Sequence, residues 1–248
     1  MQSPRVTLVT CVWRRRELTR AFWVWVAWLR HRWATQGIQL TAVAGASEPR
    51  DADLAELSGA IVVRHANAPL GAKFNAALEA SRATRPDMVL IMGSDDFFCA
   101  RVADALGEAI RANRSVGFQD LYYAELATDR VRYLPGYRVK SRHTEPVGPG
   151  TLHTAALLER FHWHLWDGTQ HHGMDNSRFR TLKVHDAMPA LLNLKALGAV
   201  MLDVKTAENL WPFDRTRKQP VLSEAEGRAI WAQLPEEVVA AIPLPVAA

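Results

Sequence analysis

Cysteine is scarce: the 248 residues include two, Cys11 and Cys99. That excludes a disulfide framework and a cysteine-built zinc site, and both thiols stand among apolar neighbours, where they read as small core residues. Such usage fits a reducing compartment, so cytoplasmic residence is the expectation. Long apolar runs are missing as well. "AFWVWVAWL" (Ala21–Leu29) is about half the length that a membrane-spanning helix needs. "MQSPRVTLVTCVWRRR" has no signal-peptide core, because its apolar stretch is short and ends in arginines. No internal repeat and no low-complexity linker interrupts the chain. A strong charge of either sign is also absent: Lys and Arg number 30 against 26 Asp and Glu, with a sequence pI of about 9.3. Mild basicity of this kind accommodates nucleotides or nucleic acid without requiring either.

What is present is an ordinary globular composition, 48% hydrophobic and 23% charged, in a chain long enough to bury a sizeable core. "RVTLVTCVW" is a continuous apolar run with β-branched residues and predicts a buried first strand. In the following "RRRELTRAFWVWVAWLRHRW", Leu18, Phe22, Trp25, Leu29 and Trp33 recur at helical spacing. Trp23 and Trp28 lie off that stripe and leave two readings, a partner surface or an unusually wide core face. "IQLTAVAGA" and "AIVVRHA" read as strands around a short acidic helix. "GAKFNAALEASRAT" reads as a helix with Phe74, Ala77, Leu78 and Ser81 on one side, and "DMVLIMG" as a fourth buried strand. This alternation predicts an α/β fold with a mostly parallel central sheet and helices on both faces. Ligands of such sheets sit beyond the carboxyl ends of the strands. Further on come a helix ("RVADALGEAIRAN"), an antiparallel hairpin built from "VGFQDLYYAEL" and "RVRYLP", and a polar loop ("KSRHTEPVGPG"). "TLHTAALLERFHWHLW" and "DNSRFRTLKV" read as helices and "GAVMLDVKT" as one more strand. The remainder is loop, a short helix around "SEAEGRAIWAQL" and a Pro-punctuated tail.

Three stretches carry candidate chemistry. In "MVLIMGSDDFF" a buried strand ends on two adjacent carboxylates, Asp95 and Asp96, which repel each other unless something positive stands between or above them. A hard divalent cation would do this, and so the pair is a candidate metal site. Asp96 as the N-cap of the next helix is the alternative. In "PLGAKFNAAL", Gly71 and Lys73 stand at a loop-to-helix junction suited to an anion, with Asn75 in reach of a ligand. In "GTQHHGMDNSRF", Asp175 follows Gly173 and opens a helix, where capping is the default; His171 and His172 do not have the arrangement of a zinc pair.

Read in order, "LGAKFNAALEA", "VLIMGSDDFF", "GPGTLHTAALLERFHWHLW" and "GMDNSRF" resemble a GT-A glycosyltransferase of the family-2 type over roughly residues 5–211. "LDVKTAENLW" (Leu202–Trp211) is similar to a late element of small glycosyltransferase-like proteins encoded by bacteriophages. The resemblance implies a Rossmann-like GT-A fold and a nucleotide-diphosphate sugar as donor, a UDP-sugar being favoured. It implies a donor-binding half over 1–115, an acceptor-side half over 116–212 and a C-terminal extension over 213–248. Ser94, Asp95 and Asp96 fall on the family's acidic motif, with Asp95 and Asp96 as ligands of Mn²⁺ or Mg²⁺. Lys73 and Asn75 fall on donor-contacting positions, Thr10, Cys11, Val12 and Trp13 on the strand exit that lines the nucleotide base, and Asp175 on the catalytic base. Two departures stand out. The first carboxylate of the acidic motif is Gly93 here, and "AVAGASEPR" after the second strand has no Asp to read the nucleotide.

The implied reaction is inverting transfer to an acceptor hydroxyl. The phage-type likeness, the pI, Trp23 and Trp28, and the clusters "KSRH" and "RTRK" suggest a hydroxymethylated base in DNA as acceptor. Lys140, Arg142, Arg215, Arg217 and Lys218 would meet the phosphates, and the base would be flipped out of its stack. For a viral protein the compartment would be the host cytoplasm. A protein or glycan hydroxyl is the second acceptor reading. A nucleotidyltransferase, or a non-catalytic DNA- or carbohydrate-binding module, are the readings from other classes.

Overall fold

The computed structural model describes residues 3–210, 212–216 and 218–244. Its larger sheet is laid down by the expected alternation: β1 (Arg5–Val12), α1 (Arg16–Ala34), β2 (Gln39–Ala46), α2 (Pro49–Leu57), β3 (Ile61–Arg64), α3 (Leu70–Ser81) and β4 (Met88–Ile91). A short β5 (Asp96–Phe98) leads into α4 (Ala100–Arg111), β6 (Val116–Phe118), β7 (Leu121–Glu125) and β8 (Val131–Leu134). Then follow β9 (Thr151–Thr154), α5 (Ala155–Arg160), α6 (Met174–Val184), β10 (Ala190–Leu192), β11 (Met201–Lys205), α7 (Glu224–Trp231) and α8 (Glu236–Ala241). The strands form a seven-stranded sheet in the order β10-β6-β9-β4-β1-β2-β3 and a four-stranded sheet in the order β5-β11-β7-β8. In the larger sheet every neighbouring pair is parallel except those made by β9, which runs against both β4 and β6.

Alternate residues of each central strand feed opposite faces. Leu8, Leu40, Ala42 and Leu90 pack into one apolar cluster with α1 and α4, while Val9, Val43, Val89 and Ile91 join Leu78, Phe179 and Leu182 in another. Helices therefore cover both faces, as the strand composition predicts. On α1 the wide-core reading holds: Trp23 is 4% exposed, Trp25 and Trp33 are fully buried, and Trp28 packs at the edge of the same cluster. The indole N–H groups of Trp25 and Trp33 donate to the carbonyls of Phe98 and Ala103 at 3.1 and 3.0 Å, so these rings enter the core with their polar edge satisfied. Cys11 and Cys99 are free and buried. Among the described residues no helix is long and apolar enough to cross a membrane.

The chain departs from expectation at Thr151–Thr154, which is strand rather than helix. Thr154 marks the real boundary: its Oγ1 accepts from the Leu157 N–H and caps α5. The stretch "VGFQDLYY" also splits, its halves joining different sheets at Asp120. That buried carboxylate takes the N–H groups of Leu194 and Lys195 and the Tyr133 hydroxyl, tying the two sheets together.

Candidate active site

The carboxyl ends of β1 and β4 lie side by side, and the chemistry gathers there. After β1 the backbone makes two consecutive left-handed residues, Arg14 (φ 55°) and Arg15 (φ 40°). For residues other than glycine this conformation costs roughly 1–2 kcal/mol each. The turn is held by Asp51, whose carboxylate accepts the Arg14 N–H at 3.0 Å, and by the Arg14 guanidinium lying 4.5 Å from the Trp13 ring. Its effect is to deliver Arg15: Nη1 donates to Asp95 Oδ2 at 2.6 Å and Nη2 to Ser94 Oγ at 3.1 Å. Asn209 Nδ2 donates to the same Asp95 oxygen at 2.6 Å. The positive group that the acidic pair requires is thus supplied by the chain itself.

Asp96 turns the other way. Its Oδ2 accepts the Gly93 N–H at 2.8 Å, and Cys99, not Asp96, stands at the N-cap of α4, so the capping alternative fails. Beside it on β11, the strand paired with β5, Asp203 holds Lys205 Nζ at 2.6 Å. Burial works against the Asp95 carboxylate, but Arg15, Lys205 and the hydrogen bonds from Arg15 and Asn209 hold it below the usual range. Burial, followed by Asp203 and Asp95, pushes Asp96 well above that range. Gly93 now has a reason: a Cβ there would lie 2.4 Å from Asp96 Oδ2 and 2.8 Å from Asp95 Oδ1. A side chain at position 93 and the observed placement of both carboxylates are mutually exclusive.

Two adjoining cavities open here. One, of about 230 Å³, is lined by Cys11, Trp13, Arg15, Lys73, Ser94, Asp95, Lys205 and Asn209 among others. The second, of about 150 Å³, is lined by Asp96, Asp175 and Arg178 between Phe74, Trp166 and Met174. Gly93 and Phe74 belong to both walls. Lys73, buried at the base of the first, donates to the Val12 carbonyl at 2.7 Å and to Asn67 Oδ1 at 3.2 Å. Burial lowers its pKa, and the Cys11 thiol is pushed by burial up to about 12. In the second cavity Asp175 opens α6 and presses against the Gly148 backbone, where a Cβ would meet its Oδ2 at 2.2 Å. Arg178 is fully buried beneath it, donating to Thr151 Oγ1 and the Gly148 carbonyl, with Nη2 3.7 Å from Asp175 Oδ1.

Of the residues expected at the donor site, Cys11, Trp13, Lys73, Ser94 and Asp95 line one cavity, whereas Thr10 and Val12 are buried and absent from its wall. Asn75 needs correction. It is 5% exposed, and its amide is consumed by the backbone of the facing loop: Oδ1 accepts from Leu165 and Trp166, and Nδ2 donates to the Trp166 carbonyl. Asn75 positions Trp166: both acceptor sites of its Oδ1 and one of its two Nδ2 N–H groups are engaged there, and it lines neither cavity. Asn75→Ala would strand three backbone groups, and a loss of about 2–4 kcal/mol in urea unfolding is expected.

At the expected divalent-metal pair the chain's own cations compete for the carboxylates. Asp95 and Asp96 face different cavities, Asp95 is occupied by a guanidinium and an amide, and Asp203 by an ammonium. Among the described residues no group of three His, Cys, Asp or Glu has the placement to hold an ion. An ion here would have to share Asp95 and Asp203 with the cations on their Oδ2 atoms, and Asp203 Oδ1 is buried without a hydrogen-bond partner among the described residues.

Arg15, Lys205, Asn209 and Arg178 were not singled out from the sequence. Three had a signal: Arg15 stands in the "RRR" that closes the first strand, and Lys205 and Asn209 in "LDVKTAENLW". The basic residues assigned to an acceptor are scattered in kind. Lys140, Arg215 and Lys218 are exposed; Arg142 donates to Glu145 at 2.6 Å and stacks 3.7 Å from the Tyr137 ring; Arg217 lies outside the described residues.

No family model and no curated protein matches the sequence. Solved structures do match. Residues 1–349 of S. aureus TarS in complex with UDP align over 91% of this chain and 69% of that one, with TM-score 0.50 and 13% identity. The inositol-1-phosphate CTP transferase of T. maritima aligns over 100% of both chains, with TM-score 0.48 and 14% identity. CMP:2-keto-3-deoxy-manno-octonic acid synthetase complexed with CTP aligns over 87% of this chain and 96% of that one, with TM-score 0.47 and 9% identity. At such identities the likeness is one of fold: the Rossmann-like α/β architecture predicted from the sequence is the architecture this chain has.

Proposed function

We propose that this protein is a GT-A glycosyltransferase that moves a sugar from a nucleoside-diphosphate donor, a UDP-sugar by preference, to an acceptor hydroxyl with inversion. The observation that supports this most is the pair of cavities meeting at Gly93 and Phe74, one carrying Arg15, Lys73 and Lys205 beside Asp95, the other carrying Asp96, Asp175 and Arg178 beside an aromatic wall. A diphosphate suits the first, and a sugar ring suits the aromatic wall of the second, where Phe74 and Trp166 pack on each other with centroids 4.9 Å apart. Asp175 takes the proton of the acceptor hydroxyl as its oxygen bonds to the anomeric carbon. The bond from that carbon to the diphosphate oxygen breaks, and the diphosphate leaves with the electron pair. Residues 1–115 form the donor half in this reading, 116–212 the acceptor side, and 213–248 an extension.

The acceptor we propose is a hydroxymethylated base in DNA, with the exposed Lys140, Arg215 and Lys218 as phosphate contacts. The test is release of nucleoside diphosphate across a panel of sugar nucleotides, with hydroxymethylated oligonucleotides, glycans or peptides as acceptors. UDP release that requires an acceptor is the expected result, and release of pyrophosphate from a nucleoside triphosphate instead would make the protein a nucleotidyltransferase. On DNA, affinity should fall severalfold or more between about 50 and 200 mM salt as counterions are released. Absence of binding at low salt transfers the acceptor role to a protein or glycan hydroxyl.

A further inference from the structure

We infer that Arg15 and Lys205 are the cations that receive the donor's diphosphate; this rests on the glycosyl-transfer reading above. Four observations converge. Both side chains line the 230 Å³ cavity, with 15% and 7% of their side-chain surface exposed. Each is anchored by one carboxylate, Arg15 by Asp95 and Lys205 by Asp203, so that each is fixed in place. Neither is exhausted by its anchor. Arg15 has five N–H groups and directs one each to Asp95 and Ser94, and Lys205 has three and directs one to Asp203. Finally, Arg15 stands on two successive left-handed residues, and strain of this kind persists where surrounding structure enforces a particular side-chain placement.

The chemistry suits the role. A guanidinium fork matches two phosphate oxygens, and an ammonium supplies a point charge beside it. Lys73, whose Nζ contacts only the Val12 carbonyl and Asn67 among the described residues, adds a third positive group on the same wall. As the bond to the anomeric carbon breaks, the growing charge on the leaving diphosphate oxygen is met by N–H donors already in place.

The experiment is calorimetric titration of the full chain with UDP and, separately, with inorganic pyrophosphate, after metal stripping and in excess EDTA, then with added Mg²⁺ or Mn²⁺. The expected result is the same affinity in all conditions, with Arg15→Gln and Lys205→Gln each weakening binding about tenfold or more. Removing Arg15 alone leaves the buried Asp95 carboxylate with the Asn209 amide but without its guanidinium, and threatens the fold. Arg15→Gln combined with Asp95→Asn keeps that site neutral and should bind as weakly, while Arg15→Lys recovers part of the loss. UDP binding that appears only with an added divalent ion, or a double variant with wild-type affinity, overturns the inference and leaves glycosyl transfer standing. Failure of every nucleoside diphosphate to bind, with or without metal, overturns both.

Discussion

Asp175→Asn is expected to slow sugar transfer at least about a hundredfold while UDP still binds with unchanged affinity. The amide keeps the volume and the approach to the Gly148 backbone but accepts no proton. The separation of effects follows from the layout: Asp175 lines the smaller cavity with Arg178 beneath it, whereas Arg15, Lys73 and Lys205 line the larger one. Single-turnover transfer and calorimetric UDP binding on the same preparation check both halves. Turnover near the wild-type rate would remove Asp175 from the chemistry. The search would then turn to Asp96, which shares the cavity. Glu145 is buried against Arg142, and Asp167 is engaged with Thr169, so neither is placed to replace it.

The second large effect concerns acid stability and comes from His153. It sits fully buried on β9, with neither ring nitrogen hydrogen-bonded among the described residues. Burial first, and the neighbouring Arg178 second, push its pKa down to about 3 from 6.5. The folded pKa is the lower one, so between those values the unfolded chain binds more protons and stability rises with pH. Folding is therefore penalised progressively as pH falls below about 6.5. From pH 7 to about 4.5 the histidine's share of the loss is about 2–3 kcal/mol. Asp203, raised by burial to about 6, and Asp96, raised well above its ordinary value by burial and its acidic neighbours, act with the opposite sign, because their protonated forms favour the folded state in acid. The measurement is consequently a difference: urea unfolding of wild type and His153→Leu at both pH values. The variant should lose about 2–3 kcal/mol less on acidification. Equal losses in the two proteins would show that the imidazole keeps its ordinary pKa inside the fold.

The first part of the sheet, β1 to β4, was legible because its signals are local. Continuous β-branched runs alternating with amphipathic helices specify a covered parallel sheet, and the sheet's carboxyl edge specifies where Cys11, Trp13, Lys73, Ser94 and Asp95 gather. What could not be read was long-range pairing. Arg15 and Asp95 stand 80 positions apart, and Asn209 and Asp95 114 apart, so no spacing rule connects them. Asn75 misled for a related reason: a polar residue near a helix start looks available until the loop that consumes it, 90 residues on, is in place. Thr151–Thr154 was absorbed into a helical stretch because four residues are too few for a period-2 pattern to declare itself.

Gly93 carries a consequence for how such a site can change. The chelating arrangement, with a carboxylate at this position, and the present one, with Asp96 folded back onto the Gly93 N–H, exclude one another on steric grounds. Acquiring a side chain at 93 would therefore push the Asp96 and Asp95 carboxylates from the positions they hold. The two positions are coupled: what stands at 93 sets where the Asp96 carboxylate can lie. Single-site saturation at position 93 should accordingly find no gain in metal response, whereas libraries that vary 93, 96 and 15 together open the path.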